Sequence, residues 1–372
     1  MSDQRSNDSL LILVINPGST STKISVFENE AERFGQTVKH PSSELKAYKT
    51  ALSQIEYRKD AIKSSLHEWD KESFDAIAAR GGLIKPIESG TYIIDDAVLE
   101  DSKNPANAKH ASSLGAILAY DLGMELGIPS YIVDPVVVDE LEPLARLSGS
   151  PDFPRSSVFH ALNQKAVARQ CAADMGLKYE DARMVVAHLG GGISIGAHRY
   201  GRVIDVSNAI KGEGPFSPER CGALPVADVI QACFDQRNSL DVLLSLTNKT
   251  GGLVSYLGTH DFRECEARIM RGDPESYLVI EAMAYQISKE IGAMVAVLQG
   301  RLDAIVLTGG LSHSIRFTAS IKNQIGSMAP VKVYPGEKEM EALALGVARV
   351  LRGQDRAKDY MAYVYGGLKS AG

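Results

Sequence analysis

Apolar positions arrive along this chain in two rhythms, short continuous or alternating runs and longer stripes at helical spacing. Residues 10–15 form an unbroken apolar run, the pattern of a strand buried on both faces. Asn16-Pro-Gly follows as a turn signal, then Ser19-Thr-Ser-Thr-Lys23. Beyond it Ile24 and Val26 alternate with Ser25 and Phe27, so a second strand returns from the turn. The theme recurs at 183–197, with a strand ending at His188, a turn of Gly190, Gly191 and Gly192, and an alternating strand opening at Ser194. A third strand is expected at 201–206. Shorter apolar runs carry Arg80 into Gly81-Gly82, Asp134 into Pro135, and Thr308 into Gly309-Gly310-Leu311. Residues 92–99 read as a further strand edge. Helical spacing predicts one or two peripheral helices in 42–66, and helices over 108–126, 159–175, 218–234, 240–247, 267–270, 280–298 and 339–352.

Two hairpins with polar, small-residue turns, one per half, imply a duplicated α/β fold with mixed sheets and an interdomain cleft. The breaker-rich stretch Ser148-Gly-Ser-Pro-Asp-Phe-Pro154 marks the boundary between a domain over 1–150 and one over 151–351. A chain of 372 residues is long enough for two such cores. Its net charge of −6 argues against nucleic acid or an anionic membrane as the main partner. Cys171, Cys221, Cys233 and Cys265 form no C-x-x-C pair, which fits reduced thiols in a cytoplasmic protein and gives no zinc signal. The first nine residues lack the apolar core of a signal peptide, and no apolar run is long enough to span a membrane.

Three small-residue turns after apolar strands suit an anion, because glycine lets the backbone approach and successive N–H groups form a nest. The first is not a Walker loop: its second glycine is missing and a strand, not a helix, follows. Arg80 and Arg263 each stand beside a break in regular structure, Gly81-Gly82 and Gly258-Thr-His-Asp-Phe262, and two guanidinia on one cleft would clamp a carboxylate or a phosphoryl group. Either arginine could equally serve a surface ion pair, His188 a hydrogen-bonded core, and Asp134 a turn cap. His110, His160 and His313 lack metal-ligand spacing.

Asn16-Pro-Gly-Ser-Thr-Ser-Thr-Lys23 resembles the opening phosphate motif of the acetate and butyrate kinase family. So do Arg80-Gly-Gly-Leu-Ile-Lys-Pro-Ile87, Ile132-Val-Asp-Pro-Val-Val-Val-Asp139 and Phe159-His-Ala-Leu-Asn-Gln164. His188-Leu-Gly-Gly-Gly-Ile-Ser194, Gly212-Glu-Gly-Pro-Phe-Ser-Pro-Glu219 and Thr308-Gly-Gly-Leu311 extend the resemblance, in order, over residues 10–351. The wording is closer to butyrate than to acetate kinases. The resemblance implies the two-domain, ribonuclease H-like fold shared by sugar kinases, actin and heat-shock chaperones, with the tail 352–372 rejoining the first domain. It implies ATP and Mg2+ as cofactors, a short-chain carboxylic acid as substrate, and a homodimer or larger oligomer.

Residue by residue, the resemblance gives Asn16 and Glu339 to the metal, with Glu337 and Glu341 within register error. Ser19, Ser21 and Lys23, with Gly190, Gly191 and Gly192, would face the phosphates, and Gly309, Gly310 and Leu311 the adenosine. Arg80 and Arg263 would bind the acyl carboxylate and the transferring phosphoryl group. His188 would donate to that group, Asp134 orient the reactants, and His110 line the acyl side. A carboxylate needs no strong base to attack phosphorus; alignment and charge neutralisation are the task. Gly82 and Ala187 stand where acetate kinases usually carry valine and phenylalanine, which is expected to open room for a chain two methylenes longer, worth about 1.6 kcal/mol. Butyrate is the expected acid, with propionate or branched acids as the alternative. An actin-like nucleotide switch is the non-enzymatic rival, and a sugar kinase, with its aspartate base, fits less well.

Overall fold

In a computed structural model the described residues are 9–67, 69, 74–105, 107, 111–235 and 238–366. The chain divides into two units, Met1–Val138 with Lys338–Gly372, and Asp139–Glu337.

The first unit holds a six-stranded sheet in the order β3-β2-β1-β4-β6-β5. Its strands are β1 (Leu11–Pro17), β2 (Ser21–Glu28), β3 (Ala31–Lys39), β4 (Ala76–Ala79), β5 (Thr91–Ile93) and β6 (Ser130–Val133). β1 is buried along its whole length, as its continuous apolar run requires. Period-two alternation sends Leu11, Leu13 and Ile15 into one core with Ile62 and the helix Leu114–Leu126. On the other side helix Glu339–Leu351 comes so close that a Cβ on Gly346 would lie 2.5 Å from Val133, and Thr91 donates to the Gly346 carbonyl.

The second unit repeats the plan in five strands, ordered β11-β10-β7-β8-β9. They are β7 (Arg183–Leu189), β8 (Ile193–Arg199), β9 (Arg202–Val206), β10 (Ala304–Gly309) and β11 (Val331–Pro335). Val185, Ala187 and Leu189 face a core with helix Pro274–Val297. Met184 and Val186 face the opposite side, where helix Ala161–Asp174 lays down Val167, Ala168, Cys171 and Ala172. The duplicated, mixed-sheet α/β fold read from the two hairpins is the fold observed.

Several boundaries differ from the sequence reading. The unit division falls at 138/139 and 337/338, not at 150/151 and 351/352. Ser148–Pro154 is a surface loop within the second unit, and the last long helix packs on the first unit's sheet. β3 lies in a polar, mixed stretch ahead of the helices expected in 42–66; it is a largely exposed edge strand, so no apolar face marks it. The strand read over 92–99 stops at Ile93, because Asp95 accepts from Val98 N and caps a helix, Asp96–Lys103. The helix expected from Pro218 begins only at Val226. All four cysteines are free. Among the described residues no helix is long and apolar enough to cross a membrane.

Candidate functional site

In the first unit, antiparallel pairing sets Asn16 opposite Lys23 at the open end of the β1–β2 hairpin. Asn16 is buried, and its Nδ2 donates to Glu339 Oε2 at 2.8 Å. Arg80 follows β4, the neighbour of β1, and its Nη1 reaches the same carboxylate oxygen at 3.1 Å. Asn16, Arg80 and Glu339 are therefore one cluster, although Glu339 is 323 residues from Asn16. Glu339 opens the helix that packs on β1 and is the glutamate that meets Asn16, whereas Glu341 pairs with Lys338. A carboxylate beside an amide oxygen is a hard-donor pair that suits Mg2+ when phosphate and water complete the shell. No larger group of potential metal ligands occurs among the described residues.

The turn itself is held from behind. Arg58 is fully buried, and its guanidinium donates to the carbonyls of Gly18, Ser21 and Ser19 and to Thr22 Oγ1 at 3.0–3.1 Å. Burial pulls its pKa down. With its carbonyls engaged, the turn leaves Ser19 and Lys23 exposed and Ser21 half-buried. Sequence reading missed Arg58, because nothing local distinguishes a helical arginine 40 residues from the turn it holds.

Asp134 directly follows β6 with a positive φ of 38°, and its Oδ1 accepts from Gly90 N at 2.7 Å. His110 lies outside the described residues. Gly82 does not open a pocket: a Cβ there would lie 2.4 Å from Ser113 Cα, so the glycine exists for close approach. Ala187 is fully buried in the second unit's core, on the face of β7 opposite to His188. The expectation that these two residues enlarge an acyl pocket is therefore corrected, because backbone fills one position and core surrounds the other.

In the second unit the sheet register aligns His188 with Ser194 on β8 and Thr308 on β10. His188 is buried at 1% exposure; its Nδ1 lies 2.9 Å from Asn163 Nδ2 and its Nε2 3.4 Å from Glu337 Oε1. The His160 ring stacks on it at 3.8 Å, 8° from parallel. Both partners come from the start of helix Ala161–Asp174, whose apolar residues one and two turns on pack under β7. His160 and Asn163 were in plain view within a motif, but only the helix register shows that they reach His188.

The glycine turn is braced by the 212–222 loop. Ser217 Oγ and Glu219 N both donate to the Gly191 carbonyl, at 2.7 and 3.4 Å. Arg220 lies behind Gly192, where a Cβ would meet Nη1 at 2.2 Å. Its Nε has no hydrogen-bond partner among the described residues, and burial lowers its pKa. Arg263, by contrast, is 89% exposed and folded onto Asp261, which caps its own helix Phe262–Met270. Arg263 nevertheless lines a cavity of about 550 Å3 with Gly191, Gly310, Leu311 and His313. The structure thus brings two of the three expected glycine turns, and one of the two expected arginines, to a single cavity of the second unit.

Residues 155–328 match the model of the acetokinase family, a segment inside the second unit and just under half of the chain. The fold matches a crystal structure of acetate kinase from Porphyromonas gingivalis at a TM-score of 0.75 and 19% identity, over 92% of this chain and 100% of that one. It matches a propionate kinase from Francisella tularensis subsp. tularensis SCHU S4 at 0.72 and 19%, over 91% and 98%. A ROK family protein from Streptococcus pneumoniae TIGR4, solved with sucrose, matches at 0.51 and 10%, over 93% and 100%. Sequence-level likeness thus covers the unit that holds His188, the glycine turn and the cavity, and likeness of fold extends over both units.

Proposed function

We propose that this chain transfers the terminal phosphoryl group of ATP to the carboxylate of a short-chain carboxylic acid, reversibly, giving an acyl phosphate and ADP. The observation that carries the reading is the second unit's glycine turn, which lines a cavity at Gly191 and has His188 Nε2 against Gly190, within the segment that matches the acetokinase family. In the forward step a carboxylate oxygen bonds to phosphorus while the bond from phosphorus to the bridging oxygen of ADP breaks, so no proton has to move. Two anions must instead be held in line and their repulsion offset. Ser19, Ser21, Lys23 and the 190–192 turn take the phosphates, and the 309–311 turn takes the nucleoside. Arg80 takes the acyl carboxylate, and Asp134 orients the reactants. His188 donates from Nε2 to the transferring group, displacing Glu337, the anion it now faces. Arg220 fits the second cationic role better than Arg263, because it is half-buried against the glycine turn and has a donor to spare. Asn16 and Glu339 would hold Mg2+, which neutralises phosphate charge when bound.

The finer reading is butyrate, and it rests on the wording of the motifs alone, since Gly82 and Ala187 make no room for it. Propionate or a branched acid is the alternative. The chain works in the cytoplasm, where ATP and reduced thiols coexist, as a homodimer or larger assembly. Helices Val226–Phe234 and Leu240–Leu246 support that assembly: they bury no residue, and Val226, Phe234 and Leu240 are 71, 85 and 71% exposed. Hydroxylamine trapping of acyl phosphate across C2 to C6 acids tests the function. Acyl hydroxamate should appear with ATP and Mg2+, most rapidly with butyrate. A peak at acetate removes the butyrate reading. Absence of trapped product with every acid, alongside ATP binding, favours an actin-like nucleotide switch.

A further inference from the structure

A buried hydrogen-bond chain runs from Tyr179 to the stacked imidazoles, and the direction of every bond in it can be fixed. Gln164 is the anchor. Its Nε2 lies 3.0 Å from the Ser194 carbonyl, which can only accept, so the amide NH2 faces Ser194 and Oε1 faces His198 Nε2 at 3.0 Å. His198 must then donate from Nε2 and accept at Nδ1, which lies 2.8 Å from the Tyr179 hydroxyl. One N–H suffices, since burial pushes the His198 pKa down to about 3 and keeps the ring neutral. The second Gln164 amide hydrogen goes to Ser194 Oγ at 2.8 Å, and His160 N approaches the same oxygen at 3.4 Å. Ser194 Oγ has two lone pairs, both now addressed, so its own hydrogen points to His160 Nδ1 at 2.8 Å.

A second anchor serves the other ring. Thr308 Oγ1 donates to the Gly336 carbonyl at 3.2 Å and so accepts from Asn163 Nδ2 at 3.3 Å. The same amide nitrogen therefore donates to His188 Nδ1 at 2.9 Å.

We infer that Asn163, Gln164 and Ser194 are positioning residues that fix His188 and His160 as Nε2–H tautomers, so that both rings act toward an anion as hydrogen-bond donors and neither as a base at Nε2. Two backbone carbonyls, of Ser194 and Gly336, set the direction of the whole arrangement. The functional part of the inference rests on the phosphotransfer reading, in which the carboxylate nucleophile has no proton to lose. A ring with a bare Nε2 lone pair would there repel the transferring group. The assignment itself rests on the hydrogen bonds alone.

The test is a long-range proton–nitrogen spectrum of the full chain with 15N-labelled histidine at neutral pH. His160 and His188 are assigned by the loss of their signals in His160→Gln and His188→Gln. Both should show a protonated Nε2 and a bare Nδ1; a proton on Nδ1 of either ring overturns the inference. Asn163→Asp supplies the kinetic arm. A carboxylate can only accept, so it recruits a proton to His188 Nδ1 and strips the Nε2 donor. That should cost about 100-fold in kcat with the KM for ATP unchanged, the loss expected for one oriented donor. Wild-type turnover in Asn163→Asp would separate the tautomer from catalysis and remove the positioning role. Absence of acyl phosphate from the wild-type protein, with the expected spectrum intact, would instead remove the phosphotransfer reading.

Discussion

The two units share one ladder and differ in what they hang on its central strand. In each, an antiparallel hairpin adjoins a parallel strand, and a helix crosses the face that carries the last polar residue of the first hairpin strand. In the first unit that residue is Asn16, and the helix start supplies Glu339, an acidic partner that also takes Arg80. In the second it is His188, and the helix start supplies His160 and Asn163. One arrangement is an oxygen-rich, charged cluster suited to a cation, and the other a set of amide and imidazole groups suited to an anion. The turns differ too. The first is serine-rich and held through its carbonyls by Arg58, while the second is glycine-rich and backed by Arg220 at Gly192. A duplicated scaffold fixes where a polar group can stand, and the residue placed there decides what it can hold.

Substitutions in matching places can break that comparison. The largest effect is expected for His188→Ala and Arg80→Ala, each removing one charged or oriented donor at the reacting centre, about 3–4 kcal/mol or 10²–10³-fold in kcat. Initial rates of hydroxamate formation measure it, and near-wild-type turnover in either variant would remove its assigned role. Arg58→Met tests the frame rather than the chemistry. It orphans the turn carbonyls and should lower unfolding free energy by about 3 kcal/mol in urea titrations. An unchanged midpoint would show that the turn needs no support. Next comes pH. His198 titrates near 3 in the folded chain and near 6.5 when unfolded, so the unfolded state binds the extra proton between those values. Its contribution is whole above about pH 6.5 and is lost as pH falls, at about 1.4 kcal/mol per unit. His40, lowered to about 4 by burial first and the nearby Arg58 second, adds a similar slope. Denaturation at pH 7 and pH 5 should show the loss, and His198→Gln should reduce its slope by one proton. The smallest effect is expected for Arg263→Ala, whose pair with Asp261 is exposed and screened by solvent. If Arg263→Ala loses as much turnover as Arg220→Ala, the preference for Arg220 is wrong.

Legibility tracked the range of the interaction. β1, β7 and β10 could be read because buried strands write continuous apolar runs. The edge strand β3 could not, since it has no buried face to leave a pattern, and the short β5 was read too long because its end is set by the Asp95 cap. Asn16 and Glu339 were paired through resemblance, and the packing of the last helix on β1 showed which of three glutamates meets the asparagine. Gly82 misled in the opposite direction. A missing side chain in a sequence looks like room, but only the surroundings tell whether that room is empty, and here Ser113 fills it.

What the sequence by itself determined was the repeated strand–turn–strand unit and the residue types at the turns, because period-two burial and glycine chemistry are local. Tertiary structure alone decided which donors face which acceptors. Arg58 beneath one turn, Arg220 behind the other, and the two carbonyls that orient Asn163 and Gln164 are each brought in from 28 to 173 residues along the chain. The reason is that hydrogen-bond direction is a property of neighbours in space. A histidine's sequence position does not say which of its nitrogens carries the proton; the groups packed around it do.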